Sequence, residues 1–443
     1  LFRRLNFNKK RGLMISVSSI ANLAANDSTL KGFNGCFCVG NYAYFIPSAI
    51  SNVGHGKIAR LDLNDFSTVS SIDLASINSS YKWYLDGVTD GQYGYACPYG
   101  ASPTHGYVAR FSLSDFTTNG VTILNLASIN ASYVSFNGCS IDSNYLYLSP
   151  FSSAYIVRIA LNNFTTSGVT VIPVTNVPLP PPNQYVLFKG MCLDSRYGYI
   201  VSSNRTDGKV VRFDTQNFDI DHLSYIDLGT IDSDLGGFGR PFVVGNYVYV
   251  PPLTKIDGTS LSGKLVRIAI NNFSQSGVSI LNLGAIDSEL VGFYGGFYDS
   301  HYAYVIPDSY GKIVKIDPND FSSSGVEVLD FRTTDSEIVS CKGGFFDSNY
   351  AYVSAFRTAR AGQPGTNLGK VVKIDLGYHP SDPSYGDGPT CWSFVAKYLN
   401  SNRRYQLTGP HNAPSTFQLP KNVDASTAVL IEHGKKKNFK IVQ

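Results

Sequence analysis

A carboxylate and a guanidinium stand where this sequence otherwise places glycine. When its repeating units are aligned without gaps on Phe293, the position two residues later reads Gly35, Asp86, Gly138, Gly190, Arg240, Gly295 and Gly343. A charge at a site suited to close packing must find a partner or water, so Asp86 and Arg240 are candidate binding residues. The position just before reads Asn34, Leu85, Asn137, Lys189, Gly239, Tyr294 and Lys342, which adds Lys189, Tyr294 and Lys342. The plainer reading is that Asp86 and Arg240 fill space or pair with each other. Residues drawn from distant units can also assemble a hydrolase or lyase site. No HExxH, GxSxG, Walker A loop, GxGxxG or spaced Cys/His set occurs, so no catalytic residue, metal ligand or cofactor is assigned.

A second set of candidates, His55, His105, Arg205, Arg357 and Arg360, together with Lys255, lies in the connections that vary most between units. Variable loops on a rigid scaffold are how binding faces are built, and lone histidines there are expected to be solvated. Asp27, Asn78, Asn130, Asp232, Asp287 and Asp335 recur with Ser or Ala after each. They read as turn residues that accept from the backbone two positions on, in preference to calcium ligands. The basic column Arg60, Arg110, Arg158, Arg212, Arg267, Lys315 and Lys373 reads as structural, pairing with neighbouring acids or covering apolar surface with its stems.

The elements that position these residues follow from an internal repeat. Tyr-x-Tyr recurs seven times, at Tyr42/Tyr44, Tyr93/Tyr95, Tyr145/Tyr147, Tyr197/Tyr199, Tyr247/Tyr249, Tyr302/Tyr304 and Tyr350/Tyr352, a period of about fifty residues. Each pair precedes one member of the basic column flanked by apolar residues, and six units then reach a phenylalanine (Phe66, Phe116, Phe164, Phe218, Phe273, Phe321). Alternation of period two, rich in Val, Ile, Tyr and Phe and bounded by Gly, Asn, Asp and Ser, is strand chemistry. Each unit therefore reads as four short antiparallel strands, and seven such units describe the blades of a seven-bladed β-propeller.

The ends support radial closure. Residues 22–33 match residues 282–293 in register, so the chain enters at the end of a unit, while the last unit lacks an outer strand after Val372-Lys373-Ile374. A segment within residues 14–20 is expected to complete that blade and remove its open edges. On these motifs the chain resembles propellers of the YVTN/NHL-like kind, whose blades also read Tyr-x-Tyr, then Gly-x-Val-x-x-Ile-Asp, then an outer Ile-x-Leu. The resemblance covers residues 14–376 and implies a binding or surface role more often than catalysis.

Past the repeat, residues 377–390 read as a Pro/Asp/Gly/Ser linker and residues 391–443 as a small C-terminal β module. Strands are expected at Tyr405-Gln406-Leu407, Phe417-Gln418-Leu419 and Val429-Leu430-Ile431, with Lys435-Lys436-Lys437 as a basic turn. The module is similar to small β modules that end phage and large-virus surface proteins. Charged residues make up 16% of the 443 and the net charge is +3, so whole-chain attraction to nucleic acid is not expected. No apolar run reaches the ~18 residues of a membrane helix. Seven cysteines without a CxxC pair read as buried free thiols.

These observations lead to an expectation of a non-catalytic propeller presenting a rigid face for protein or glycan contact, with protein partners engaged through the C-terminal module. No nucleic acid partner and no membrane insertion are expected. The expected location is a virion or extracellular surface, with a cytosolic assembly favoured instead by the free thiols. The alternatives are a carbohydrate-active or other hydrolytic enzyme with an axial pocket, and an intracellular interaction hub.

Overall fold

The computed structural model describes residues 14–99, 104–151, 153–175, 177–178, 188–203, 208–257, 260–347, 349–360 and 363–377, and the backbone of strands between residues 391 and 442. The chain divides into two compact units, Ile15–Asp375 and a second formed by Leu376–Gln443 with Leu1–Met14.

Ile15–Asp375 is a ring of seven four-stranded antiparallel sheets. The second blade is representative: Tyr84–Thr89 is its inner strand, followed outward by Tyr93–Pro98, Tyr107–Ser112 and Val121–Asn125. The seventh blade takes Ser340–Phe346, Tyr350–Arg357 and Asn367–Asp375 from the end of the repeat and Ser16–Asn22 from its start. Ser16 lies opposite Asp375 and Asn22 opposite Lys370, so an N-terminal strand closes the ring as the repeat arithmetic requires.

The Tyr-x-Tyr signature is a packing device. The second tyrosine of every pair is fully buried, and a buried phenol needs a partner for its hydroxyl. In four blades the hydroxyls of Tyr95, Tyr147, Tyr199 and Tyr352 donate to Asp90, Asp142, Asp194 and Asp347 at 2.7–2.8 Å. The other oxygen of each carboxylate accepts two backbone N–H groups of the turn between the first two strands. One aspartate thus fixes a hairpin and satisfies a core tyrosine. Asp142→Ala is expected to destabilise the propeller by about 2 kcal/mol, because it orphans the Tyr147 hydroxyl and the turn. Thermal melts of the variant beside Tyr147→Phe, which loses only the hydroxyl and is expected to cost less, check this.

The basic column is explained by the next blade along. The guanidinium of Arg60 lies 4.7 Å from the Tyr42 ring of its own blade and 4.6 Å from Phe116 of the following one. Arg110, Arg158, Arg212 and Arg267 repeat the sandwich with Tyr93/Phe164, Tyr145/Phe218, Tyr197/Phe273 and Tyr247/Phe321. Lys373, over Tyr350 and Phe66, carries it across the closure from the last blade to the first. These residues therefore stack between rings, a cation–π contact, which is closer to the expected covering of apolar surface than to the expected pairing with neighbouring acids. Lys315 keeps the tyrosine half of the arrangement, 4.3 Å from the Tyr302 ring centroid, and also pairs with Glu327 at 3.1 Å.

The Asp/Asn column does form turns. Asp27, Asn78, Asn130, Asp232, Asp287 and Asp335 each accept from the backbone N–H two residues on. Four of them also hold a lysine of a third strand, Lys57, Lys264 and Lys312 at its first residue and Lys370 farther along.

In the C-terminal unit, Cys391–Tyr398 is flanked by Arg404–Pro410 and Val423–Glu432, and Thr416–Gln418 pairs in parallel with Lys440–Val442. Lys435–Lys437 is a strand paired to Val423–Glu432, not a basic turn. A three-residue chain segment next to a long apolar strand gains ladder hydrogen bonds that a turn would not supply.

Candidate functional site

Inner strands begin with a bulge. In the first blade Phe33 pairs with Pro47 and Gly35 with Ile46, which leaves Asn34 without a cross-strand partner. A bulge also opens the inner strands of blades two, three, six and seven, and in blade four it falls one residue later, at Gly190, after Lys189 has paired with Val201. Bulges re-aim side chains, and here they collect one residue from each of several blades at one end of the axis. Close approach of the inner strands depends on glycine. Gly138 and Gly190 have φ of +120° and +65°, and a Cβ on Gly138 would overlap the Gly190 backbone.

Asp86 and Arg240 meet across this mouth, 154 positions apart in sequence, with Nη1 donating to Oδ1 at 2.7 Å. Arg240 Nη2 also donates to the Leu85 carbonyl at 3.1 Å. Asp86 accepts from the Gly87 and Cys139 N–H groups at 3.0 and 3.1 Å. The pair is therefore hydrogen-bonded on both sides and largely buried, with side-chain exposures of 13% and 14%. Space for Arg240 comes from Gly190, where a Cβ would strike its side chain. In this blade the inner strand is interrupted between Gly237–Phe238 and Phe242–Val244, and the Arg240 N–H is taken up by the Tyr294 carbonyl at 2.7 Å.

Tyr294 is the hub for the remaining candidates. Lys342 Nζ lies 3.8 Å from its ring centroid, Lys189 Nζ 4.3 Å and Arg240 Cζ 5.1 Å. Lys342 is paired with Asp308 at 2.7 Å, and Asp308 also accepts from Ser340 Oγ at 2.7 Å. Lys189, only 9% exposed, has no carboxylate partner among the described residues. Three cations thus face two carboxylates. Burial, reinforced by the charges of Lys342 and Arg240 and opposed by Asp308, brings the Lys189 ammonium down to about 7. Burial also lowers Lys342, with Arg240 and Arg357 acting in the same direction against Asp308.

Because Lys189 binds its proton more weakly in the folded than in the unfolded chain, whose lysines titrate near 10.4, the unfolded state holds more protons between pH of about 7 and about 10.4. This group therefore penalises folding fully below pH of about 7 and ceases to do so as pH rises through that window. Lys189→Met should raise the melting temperature at pH 6 and lose most of that advantage at pH 10. An advantage unchanged with pH would contradict the assignment.

The loop candidates fare differently. His105 is buried. It holds the Lys82 carbonyl through Nε2 at 2.6 Å and accepts the Tyr107 N–H at Nδ1, so both ring nitrogens are committed to neutral, structural bonds. His55 is half-buried against Phe33, with ring centroids 5.8 Å apart, and burial pulls it to about 4. Neither is a solvated rim group, because the loops fold back over the blade ends. Arg357 is half-buried and donates to the Gly365 carbonyl at 3.2 Å, while exposed Arg360 donates to the Tyr310 hydroxyl at 3.0 Å. Lys255 pairs with Asp234 at 3.3 Å. Arg205 and the linker beyond residue 377 lie outside the described residues.

Sequence reasoning missed Asp308 and Ser340, which set the state of Lys342. A signal existed: six positions past the first tyrosine of each pair the sequence reads Ser48, Tyr99, Phe151, Ser203, Leu253, Asp308 and Phe356, a column with one acid. The six described cysteines are free thiols, and burial pushes Cys38 up to about 12, so they are inert packing groups.

No protein-family model matches the sequence, and no curated protein matches it. Among solved structures the chain is similar to virginiamycin B lyase from Staphylococcus aureus, with a TM-score of 0.57 and 12% identity over 82% of this chain and 99% of that one. It is also similar to Kuenenia stuttgartiensis hydrazine synthase, with a TM-score of 0.52 and 12% identity over 77% and 96%. At such identities the likeness is one of fold: the chain is an all-β protein built on a seven-bladed β-propeller of four-stranded blades.

Proposed function

We propose that the chain is a non-catalytic binding propeller whose axial mouth receives a carboxylate carried by a protein or glycan partner at a virion or cell surface. The observation that carries this reading is Lys189, a buried cation beside an aromatic ring with no anion of its own, among neighbours whose charges are already paired. An incoming carboxylate would balance the third cation and raise the Lys189 proton affinity. The pairing of Asp86 with Arg240 and of Asp308 with Lys342 favours binding over acid–base turnover, since each of these groups is already committed to a hydrogen-bonded partner. The enzyme reading draws on Lys189 alone, whose ammonium near 7 suits a general base.

Calorimetric titration with glucuronate, N-acetylneuraminate and a glutamate-rich peptide distinguishes these. Binding of at least one should weaken as pH rises through about 7 and fall at least tenfold in Lys189→Met. Absence of binding by all three at pH 6 would refute the proposal, and turnover lost in Lys189→Met would replace it with the enzyme reading.

A further inference from the structure

On the face where the inner strands begin, a cleft of about 540 Å³ opens between the first two blades, apart from the axial cations. Its wall includes Trp83, one of only two tryptophans in the chain. Trp83 adopts φ of +62°, in the left-handed region that side chains avoid. The equivalent residue, immediately before the inner strand, is Gly32 (φ +69°), Ser135 (φ +65°) and Gly292 (φ +71°) in three other blades. In all four, its carbonyl accepts the N–H of the residue that follows the second strand. The turn is thus common to these blades, and only here does it carry a large side chain at a backbone suited to glycine.

The surroundings are shaped to hold that indole. A Cβ at Gly54 would overlap Cδ1, Nε1 and Cε2 together, so one face of the ring rests on this glycine. Gly54 closes a short hairpin, Ala49–Ile50 with Val53–Gly54, whose two turn residues Ser51 and Asn52 have φ of +49° and +64°. Across the cleft, Tyr107 is braced by Tyr81 at 5.0 Å and stacked on His105 at 5.4 Å. The polar lining includes Asn52, Ser79, Lys82 and Thr104, whose side chains make no hydrogen bond to other described residues. The cleft holds no carboxylate among its lining residues.

Aromatic walls with a few uncommitted donors and acceptors are the composition of a pocket for a small polar ring with apolar faces. We infer that this cleft is a sugar subsite, binding a pyranose ring against the Trp83 indole with its hydroxyls met by Asn52, Ser79 and Thr104. Among the described lining residues Lys82 is the charged group available to read an acidic substituent. This site is independent of the axial mouth, and its ligand need carry no charge.

The test uses the full chain and named probes: chitotriose, cellotriose and lactose as neutral sugars, and a uronic acid trimer as the acidic one. Binding is followed by indole fluorescence and by calorimetry. Trp83→Gly restores the residue type found at this turn in other blades, so it is expected to melt within a few degrees of the parent while losing at least tenfold in affinity. Asn52→Ala, on the exposed hairpin, provides a second variant that leaves the turn untouched and should weaken binding several-fold. A preference for the uronic trimer that Lys82→Met abolishes would assign the carboxylate to that lysine, and equal binding of both classes would assign the ring alone; both support the inference. Failure of all probes to bind, or affinities unaffected by Trp83→Gly, would overturn it.

Discussion

Deletion of the chain through Asn22 is expected to abolish cooperative folding of the propeller. The strand Ser16–Asn22 pairs with Asn367–Asp375 over six residue pairs and buries Ala21 at the ring closure. Without it, the third strand of the last blade becomes an exposed edge beside the first blade. Each lost ladder bond costs about 1 kcal/mol, so the loss is on the order of 5 kcal/mol or more, comparable to the whole stability of many domains. The damage also spreads, because the Lys373 contact to Phe66 joins the last blade to the first. Circular dichroism and light scattering of the truncated chain should report loss of a cooperative melt together with aggregation. A truncated protein that melts like the parent would show that closure is not needed.

The second large effect is expected at the axial pair. Arg240→Ala leaves Asp86 buried and stripped of its strongest donor, and Asp86→Ala leaves a buried guanidinium with only the Leu85 carbonyl and a distant Asn34 oxygen. Breaking one side of a buried pair costs about 3–5 kcal/mol, whereas replacing both partners with apolar groups of similar size is often close to neutral. The double variant Asp86→Leu/Arg240→Met should therefore be markedly more stable than either alanine variant. Chemical denaturation of the set measures the coupling. Additive losses would show that the two side chains do not act as a pair.

Much of this architecture can be read in the sequence because every repeated column has one structural task, whether a turn, a hairpin or a contact with the next blade. Tyrosines, cations and phenylalanines each recur visibly about every fifty residues. Their convergence is harder to see, since Arg60 meets Phe116 of the next unit and not its own Phe66. Asp86 and Arg240 stood out as charges in a glycine column, but their contact depends on a closed ring that brings the second and fifth blades together. The histidines were misjudged because loop composition does not reveal how a loop folds: His105 is recruited by the Lys82 carbonyl, beyond its own loop. Trp83 escaped notice since only its φ, and not its neighbours in sequence, marks it as unusual.

The proposed binding role depends on Lys189 standing at the axial mouth without a carboxylate partner among the described residues. Nuclear magnetic resonance of the protein carrying 13Cε-labelled lysine tests it most directly, with Lys189→Met identifying the resonance. The Lys189 resonance is expected to titrate near 7 in the free protein and to shift its titration to higher pH when a carboxylate probe binds. Normal titration of every lysine, or an anomalous lysine indifferent to all carboxylate probes, would contradict it.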